Sequence, residues 1–209
     1  MTVPEPLRDH WWWRAGWQVG RSFYTWHITF ADEPAVAQLA ADYGPALDHL
    51  PMYDPVPQPW LHLTMQGIGF TDEVSRADIG AITAAAQRRL SQLEPFTVTI
   101  GPAFIDPEAL SMPVRPVEPL ARLRAEIRAA IADVWGADAV PEQADGYRPH
   151  VSLGYSNRAT PAQPAIDTLA AHPPHSVDVP VTKASVIDLN RDKKAYVWTE
   201  IATVQLSPS

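Results

Sequence analysis

The sequence contains no cysteine among its 209 residues. That excludes a disulfide framework, a thiolate metal site and a thiol nucleophile. Long apolar runs are missing too: nothing approaches the roughly 20 residues that span a bilayer. The opening residues Met1-Thr2-Val3-Pro4-Glu5-Pro6 have neither the basic region nor the apolar core of a signal peptide. The expectation is a soluble, cytoplasmic protein with no membrane partner. Positive charge is also scarce, since 16 Lys+Arg stand against 24 Asp+Glu, for a net charge of −8. Gripping long nucleic acid by counterion release needs clustered Lys and Arg, so that class is set aside. A small phosphorylated ligand is not, because a pocket can be locally positive on an acidic protein.

With 46% apolar residues, the chain can bury a core, and residues 1–209 read as one domain. Its organising stretches are Trp60-Leu61-His62-Leu63-Thr64-Met65 and Pro149-His150-Val151-Ser152-Leu153. Each reads histidine, apolar, hydroxyl, apolar. Side chains alternate across a strand, so His62 and Thr64 share one face while Leu61, Leu63 and Met65 share the other. His150 and Ser152 stand in the same relation to Val151 and Leu153. Two such strands, side by side about a pseudo-twofold axis, bring two imidazoles and two hydroxyls to one cleft.

The other segments read as scaffold. Residues 34–50 have helical spacing broken at Gly44-Pro45. Residues 51–59 are a proline-rich loop. Ile79, Ile82, Ala86, Leu90 and Leu93 form a helical stripe, followed by strands at 96–100 and 109–114. A second half starts near Pro116 with the stripe Leu120, Leu123, Ile127 and Ile131, stopped at Gly136. A short helix at 161–171 and strands at 176–189 and 196–206 follow, the strands joined by the polar loop 190–194. The order is a loose repeat with one motif per half. The fold class expected is α+β: bilobal and pseudo-twofold, with antiparallel sheets lining a cleft and helices packed outside.

Phe23–Phe30 alternates as a strand and carries a third His-x-Thr, His27 and Thr29, on its polar face. Only 35 residues separate His27 from His62, too few for a symmetric half, so His27 is not assigned to the catalytic pair. The aromatic run beginning at His10-Trp11-Trp12-Trp13 reads as a flap over residues 1–22 closing one end of the core, or as a stacking surface for a base. Arg148 and Trp60 each lie two residues before a motif histidine and are candidate substrate contacts. His172 and His175 flank Pro173-Pro174 and read as surface residues.

His62-Leu63-Thr64-Met65 and His150-Val151-Ser152-Leu153 resemble the paired motifs of the 2H phosphoesterase superfamily. The nearest branch is the bacterial 2′-5′ RNA ligases, which include RNA 2′,3′-cyclic phosphodiesterases. The resemblance runs from about Tyr24 to about Leu206. It implies a bilobal fold and metal-independent chemistry on 2′,3′-cyclic phosphates or 2′-5′ linkages, with a nucleotide or short RNA as partner. The acidic balance, the tryptophan-rich start and Ser152 in place of the commoner Thr depart from the family pattern.

Opening a cyclic phosphodiester needs a base for water and an acid for the departing ribose oxygen, tasks that suit histidine. His62 and His150 are the expected acid–base pair, and Thr64 and Ser152 the phosphate-binding donors. Which histidine is base stays open, as does hydrolysis against ligation. No cofactor and no metal site is expected, and the protein is read as a monomer. The rivals are a non-catalytic nucleotide-binding module and a histidine-ligated metalloenzyme, the latter without a recognisable ligand spacing.

Overall fold

The computed structural model describes residues 4–207. Residues 1–3 of the N-terminal flap, which begin the stretch read against a signal peptide, lie outside the described residues. Two antiparallel sheets form the molecule. One has the order β10–β9–β1–β3, from β1 (Phe23–Thr29), β3 (His62–Phe70), β9 (Lys183–Asn190) and β10 (Val197–Gln205). The other has the order β2–β7–β6–β4–β8, from β2 (Tyr53–Pro55), β4 (Phe96–Ile100), β6 (Ala109–Arg115), β7 (His150–Ser156) and β8 (Val177–Val181). The short β5 (Phe104–Asp106) pairs with β6 alone. The motif strands β3 and β7 lie in different sheets and meet where the sheets face one another.

Helices cover the outside. α1 (Pro34–Asp42) packs on β8, and α2 (Gly44–Leu47) is set off from it at Gly44-Pro45. The short α5 (Gln163–Ala170) packs by β5. α3 (Arg76–Leu90) begins where Ser75 Oγ accepts a hydrogen bond from Asp78 N at 3.0 Å, the expected N-cap chemistry. Its stripe of Ile79, Ile82, Ala86 and Leu90 is buried against α4 (Val117–Trp135), whose Leu120, Leu123, Ile127 and Ile131 are buried in turn. Each such Leu or Ile side chain contributes about 1.5–3 kcal/mol on burial. Gly136, at φ +87°, stops α4 in a backbone conformation that a side chain resists.

Three expectations change. The strand read at 176–189 is two strands, β8 and β9, which part at Thr182 and join different sheets. The buried apolar positions are Val179 and Val181 in β8 but Ala184 and Val186 in β9, so the phase of the alternation slips by one residue at the switch. Pro180 sits in an edge strand, where a missing N–H is tolerated. The proline-rich loop at 51–59 holds β2, which pairs Tyr53 with Ser156 and extends the motif-strand sheet. Finally, the lobes are not successive halves: α4, read as opening the second, packs on α3 behind the first sheet, with Arg89 bonding both Asp133 and Glu126.

Candidate active site

Both motif strands carry a β-bulge at the same motif position. Opposite β1, His27 pairs with Thr64 but Trp26 with Gln66, leaving Met65 as the extra residue. Opposite β6, Ser111 pairs with Ser152 but Leu110 with Gly154, leaving Leu153 as the extra residue. In each case it is the fourth residue of the motif, just past the hydroxyl. Bulges bend a strand and re-aim its side chains. The freed carbonyls are used elsewhere: Arg124 Nε donates to Met65 O at 2.8 Å, and Val56 N donates to Leu153 O at 2.8 Å.

The two histidines are anchored alike. His62 Nδ1 lies 2.8 Å from the Trp60 carbonyl and His150 Nδ1 lies 2.9 Å from the Arg148 carbonyl. A carbonyl only accepts, so each Nδ1 carries a proton, and any further proton is taken up or released at Nε2. The contribution of Trp60 and Arg148 to the site therefore includes their backbone. Trp60 also packs edge-on against Trp198, with ring centres 4.7 Å apart, and Arg148 lines the cleft beside His150.

Their surroundings differ. His62 is 9% exposed, with the Trp198 ring edge-on at 5.3 Å and the His27 ring stacked on it at 4.4 Å and 2°. Burial pushes its pKa down to about 4, against the Trp60 carbonyl, which raises it, with His150 lowering it further. His150 is exposed. Thr64 is exposed to the cleft, whereas Ser152 is buried with its Oγ 3.4 Å from Ser111 Oγ across the strand pair. All four expected site residues line one cleft. A cavity of 330 Å³ holds His62, Thr64, His150 and Ser152, and a second of 530 Å³ continues from His150 and Ser152 past Arg115, Tyr147 and Arg148.

The aromatic N-terminal segment packs as a strap across the cleft and also supplies part of its wall. At one end, His10 N donates to Ser156 O at 2.8 Å and Trp11 Nε1 to Asp54 at 2.8 Å. At the other, Trp17 packs on Phe23 and Phe70. Trp12 and Trp13 stay about half exposed. His10 and Arg14 line both cavities, and Arg14 holds Glu108 at 2.6 Å. His10 stacks on Tyr155 at 4.2 Å, and its Nε2 lies 2.9 Å from the Tyr196 hydroxyl. Its Nδ1 is 3.3 Å from Glu108 but off the line of a hydrogen bond. Burial, then Arg14 and Arg191, push its pKa down to about 3.

Within the polar loop 190–194, Arg191 turns inward. It is 4% exposed, donates to the carbonyls of His10 and Trp12, and faces the rings of Trp11, Trp17 and Tyr196. No pattern in the sequence distinguishes it from the charged residues around it. Arg124 did leave a signal, because it falls at helical spacing within the stripe Leu120, Leu123, Ile127. Besides Met65 O it donates to Gln143 O and Ala144 O, tying the loop before β7 to the outer edge of β3. His172 and His175, expected at the surface, are half-buried against Tyr43. Among the described residues, no three His, Asp or Glu side chains converge as a metal site, and no helix is long and apolar enough to cross a membrane.

A family model described as the 2′-5′ RNA ligase superfamily matches residues 32–193. No curated protein matches the sequence. Among solved structures, TT0787 of Thermus thermophilus is 20% identical, with a TM-score of 0.64 over 89% of this chain and 97% of that one. E. coli LigT complexed with 3′-AMP is 19% identical, with a TM-score of 0.65 over 90% and 99%. The MHV ns2 PDE domain is 8% identical, with a TM-score of 0.54 over 81% and 99%. These likenesses are of fold.

Proposed function

The chain belongs to the 2′-5′ RNA ligase superfamily, and on that footing we propose that it is a metal-independent phosphodiesterase acting on 2′,3′-cyclic phosphates or 2′-5′ linkages of nucleotides or short RNA. The observation that carries the reading is the mirrored pair of Nδ1–carbonyl bonds, which leaves each motif histidine's Nε2 free of its anchor in the cavity that Thr64 and Ser152 also line. His62, held unprotonated at neutral pH, takes the proton of the attacking water. His150 is the acid, releasing a proton from Nε2 to the departing ribose oxygen, and exchange with solvent then takes the proton off His62 and returns one to His150 before the next cycle. The Thr64 and Ser152 hydroxyls donate to the non-bridging oxygens as charge builds on them.

The 530 Å³ cavity beside His150, with Arg115, Arg148 and the rings of Tyr147 and Phe104, suits the nucleoside. The strap narrows the cleft and favours a mononucleotide or a chain end over the interior of a long RNA. LigT, solved with 3′-AMP, with phosphate and with ATP, lends the nucleotide reading support. Both motifs come from one chain, so a monomer has a complete site.

The test is a panel of the four nucleoside 2′,3′-cyclic phosphates, cyclic-phosphate-ended oligonucleotides and 2′-5′ dinucleotides, with products separated by chromatography. Turnover of at least one class, lost in His62→Ala, is the expected result. A folded protein that binds these compounds and converts none is a receptor, and the enzymatic reading fails.

A further inference from the structure

His27 belongs to neither motif, yet it touches both chemical groups of the first. Its ring lies flat on His62, 4.4 Å away and 2° from parallel. Its Nε2 is 3.3 Å from Thr64 Oγ1. The cause is register: β1 runs antiparallel to β3 with His27 directly opposite Thr64, and side chains of opposed residues lie together on one face. A solvated polar face would leave such a histidine free. Here it is 1% exposed, and its Nδ1 has no hydrogen-bond partner among the described residues.

We propose that His27 is a positioning residue for the first motif: it donates Nε2–H to Thr64 Oγ1, so that the Thr64 hydroxyl proton points at the bound phosphate, and its ring is the shelf that fixes the plane of His62. The proposal rests on the two-histidine reading above. A buried N–H left unpaired is rarer than an unpaired acceptor, which puts the proton of a neutral His27 on Nε2 and leaves Nδ1 as the bare acceptor. Burial, and then His62, hold the ring well below the usual histidine range, so it does not take a second proton. With Oγ1 occupied as an acceptor, the only proton Thr64 can place is its own, and the cleft is where Thr64 is exposed. The opposite tautomer would make Thr64 donate to His27 and withhold that proton from substrate. Behind His62, a neutral ring also offers a π face to the imidazolium formed during turnover, without competing for its N–H groups.

The wild-type protein gives the first test. Long-range 15N–1H NMR of the histidine side chains near neutral pH should find His27 as the Nε2–H tautomer and His62 as the Nδ1–H tautomer. A His27 with its proton on Nδ1, or one that is doubly protonated, overturns the proposal whether or not any substrate is turned over.

The second test is a cycle of variants. His27→Phe keeps a flat ring and loses the donor, and should cost about tenfold in kcat/KM, the worth of one ordinary hydrogen bond. His27→Gln keeps a donor and should recover part of that loss. In a Thr64→Val background the His27→Phe effect should vanish, because the hydroxyl it orients is gone. Equal losses in both backgrounds would mean a merely structural role. The affinity for inorganic phosphate, followed by the same NMR signals, should fall in His27→Phe and be indifferent to that change once Thr64 is Val. Failure of the two-histidine reading itself is seen separately, as retained turnover in folded His62→Ala.

Discussion

His62 and His150 donate the same bond to the carbonyl two residues upstream, at 2.8 and 2.9 Å, but one ring is buried between aromatic neighbours and the other is exposed. The symmetry is in the anchors and the asymmetry in the environments, as a base and an acid working on one phosphate require. Replacing either by Ala should cost about 10²–10⁴ in kcat. The double variant should lose little more than the worse single one, because the two act as a unit. Kinetics on variants whose circular dichroism is unchanged check this. Near-wild-type turnover by a folded His150→Ala protein would refute the mechanism.

Acid should weaken the fold through its histidines. His62 and His10 sit at about 4 and about 3 in the folded chain against 6.5 in the unfolded one, and His27 is lowered in the same sense. Above 6.5 neither state binds these protons and stability is unaffected. As pH falls below 6.5 the unfolded chain takes up protons first, so stability is lost down to about 4 for His62 and about 3 for His10. The slope is about 1.4 kcal/mol per pH unit for each proton. His62→Gln should flatten the dependence of the urea midpoint on pH by one proton in that window. An unchanged slope would mean that the His62 pKa is not depressed.

The same value bears on the rate profile. If His62 is the base, the acid limb of kcat/KM in the free enzyme should fall near pH 4, well below an ordinary imidazole, with the alkaline limb set by the acid. A pH–rate series on a 2′,3′-cyclic nucleotide decides it, and an acid limb at 6.5 would transfer the base role away from His62 as it stands in this structure.

Activity should survive exhaustive EDTA treatment, because each step has a side chain to perform it. Loss of turnover restored specifically by zinc or manganese would favour the metalloenzyme reading.

Arg191→Ala should destabilise the protein by about 2–4 kcal/mol, since it strips the donors from two strap carbonyls and leaves three rings facing a void. Arg191→Lys should not restore it, because one ammonium cannot reproduce the planar fork. Urea denaturation reads the first effect. Limited trypsin digestion reads the second, through faster cleavage after Arg14.

Both motif strands, their polar faces and the four residues on them were legible in the sequence, because alternation with period two is a local property that burial on one side enforces. The helix stripes were legible for the same reason. What escaped depends on contacts distant in the chain. His27 sits on an ordinary polar strand face, and only its register against Thr64 gives it a role. Arg191 looks like a turn residue until the strap, some 180 positions away, lies over it. The change of sheet at Thr182 did leave a mark, because the apolar positions slip there from Val179 and Val181 to Ala184 and Val186. Arg124 could have been found, as a charge set inside an apolar stripe.

The chain passes repeatedly between its two sheets, from β1 to β2, back to β3, on to β4 and home again through Thr182 into β9. Neither lobe can therefore be made alone. A gene split in the loop before β7 would give one fragment holding β1 and β3 without β9 and β10, and another holding β7 and β8 without β6 and β4. Each motif would be present but propped on half a sheet. Such fragments would have activity only by complementing each other, and its return on mixing would report the assembly of both lobes at once.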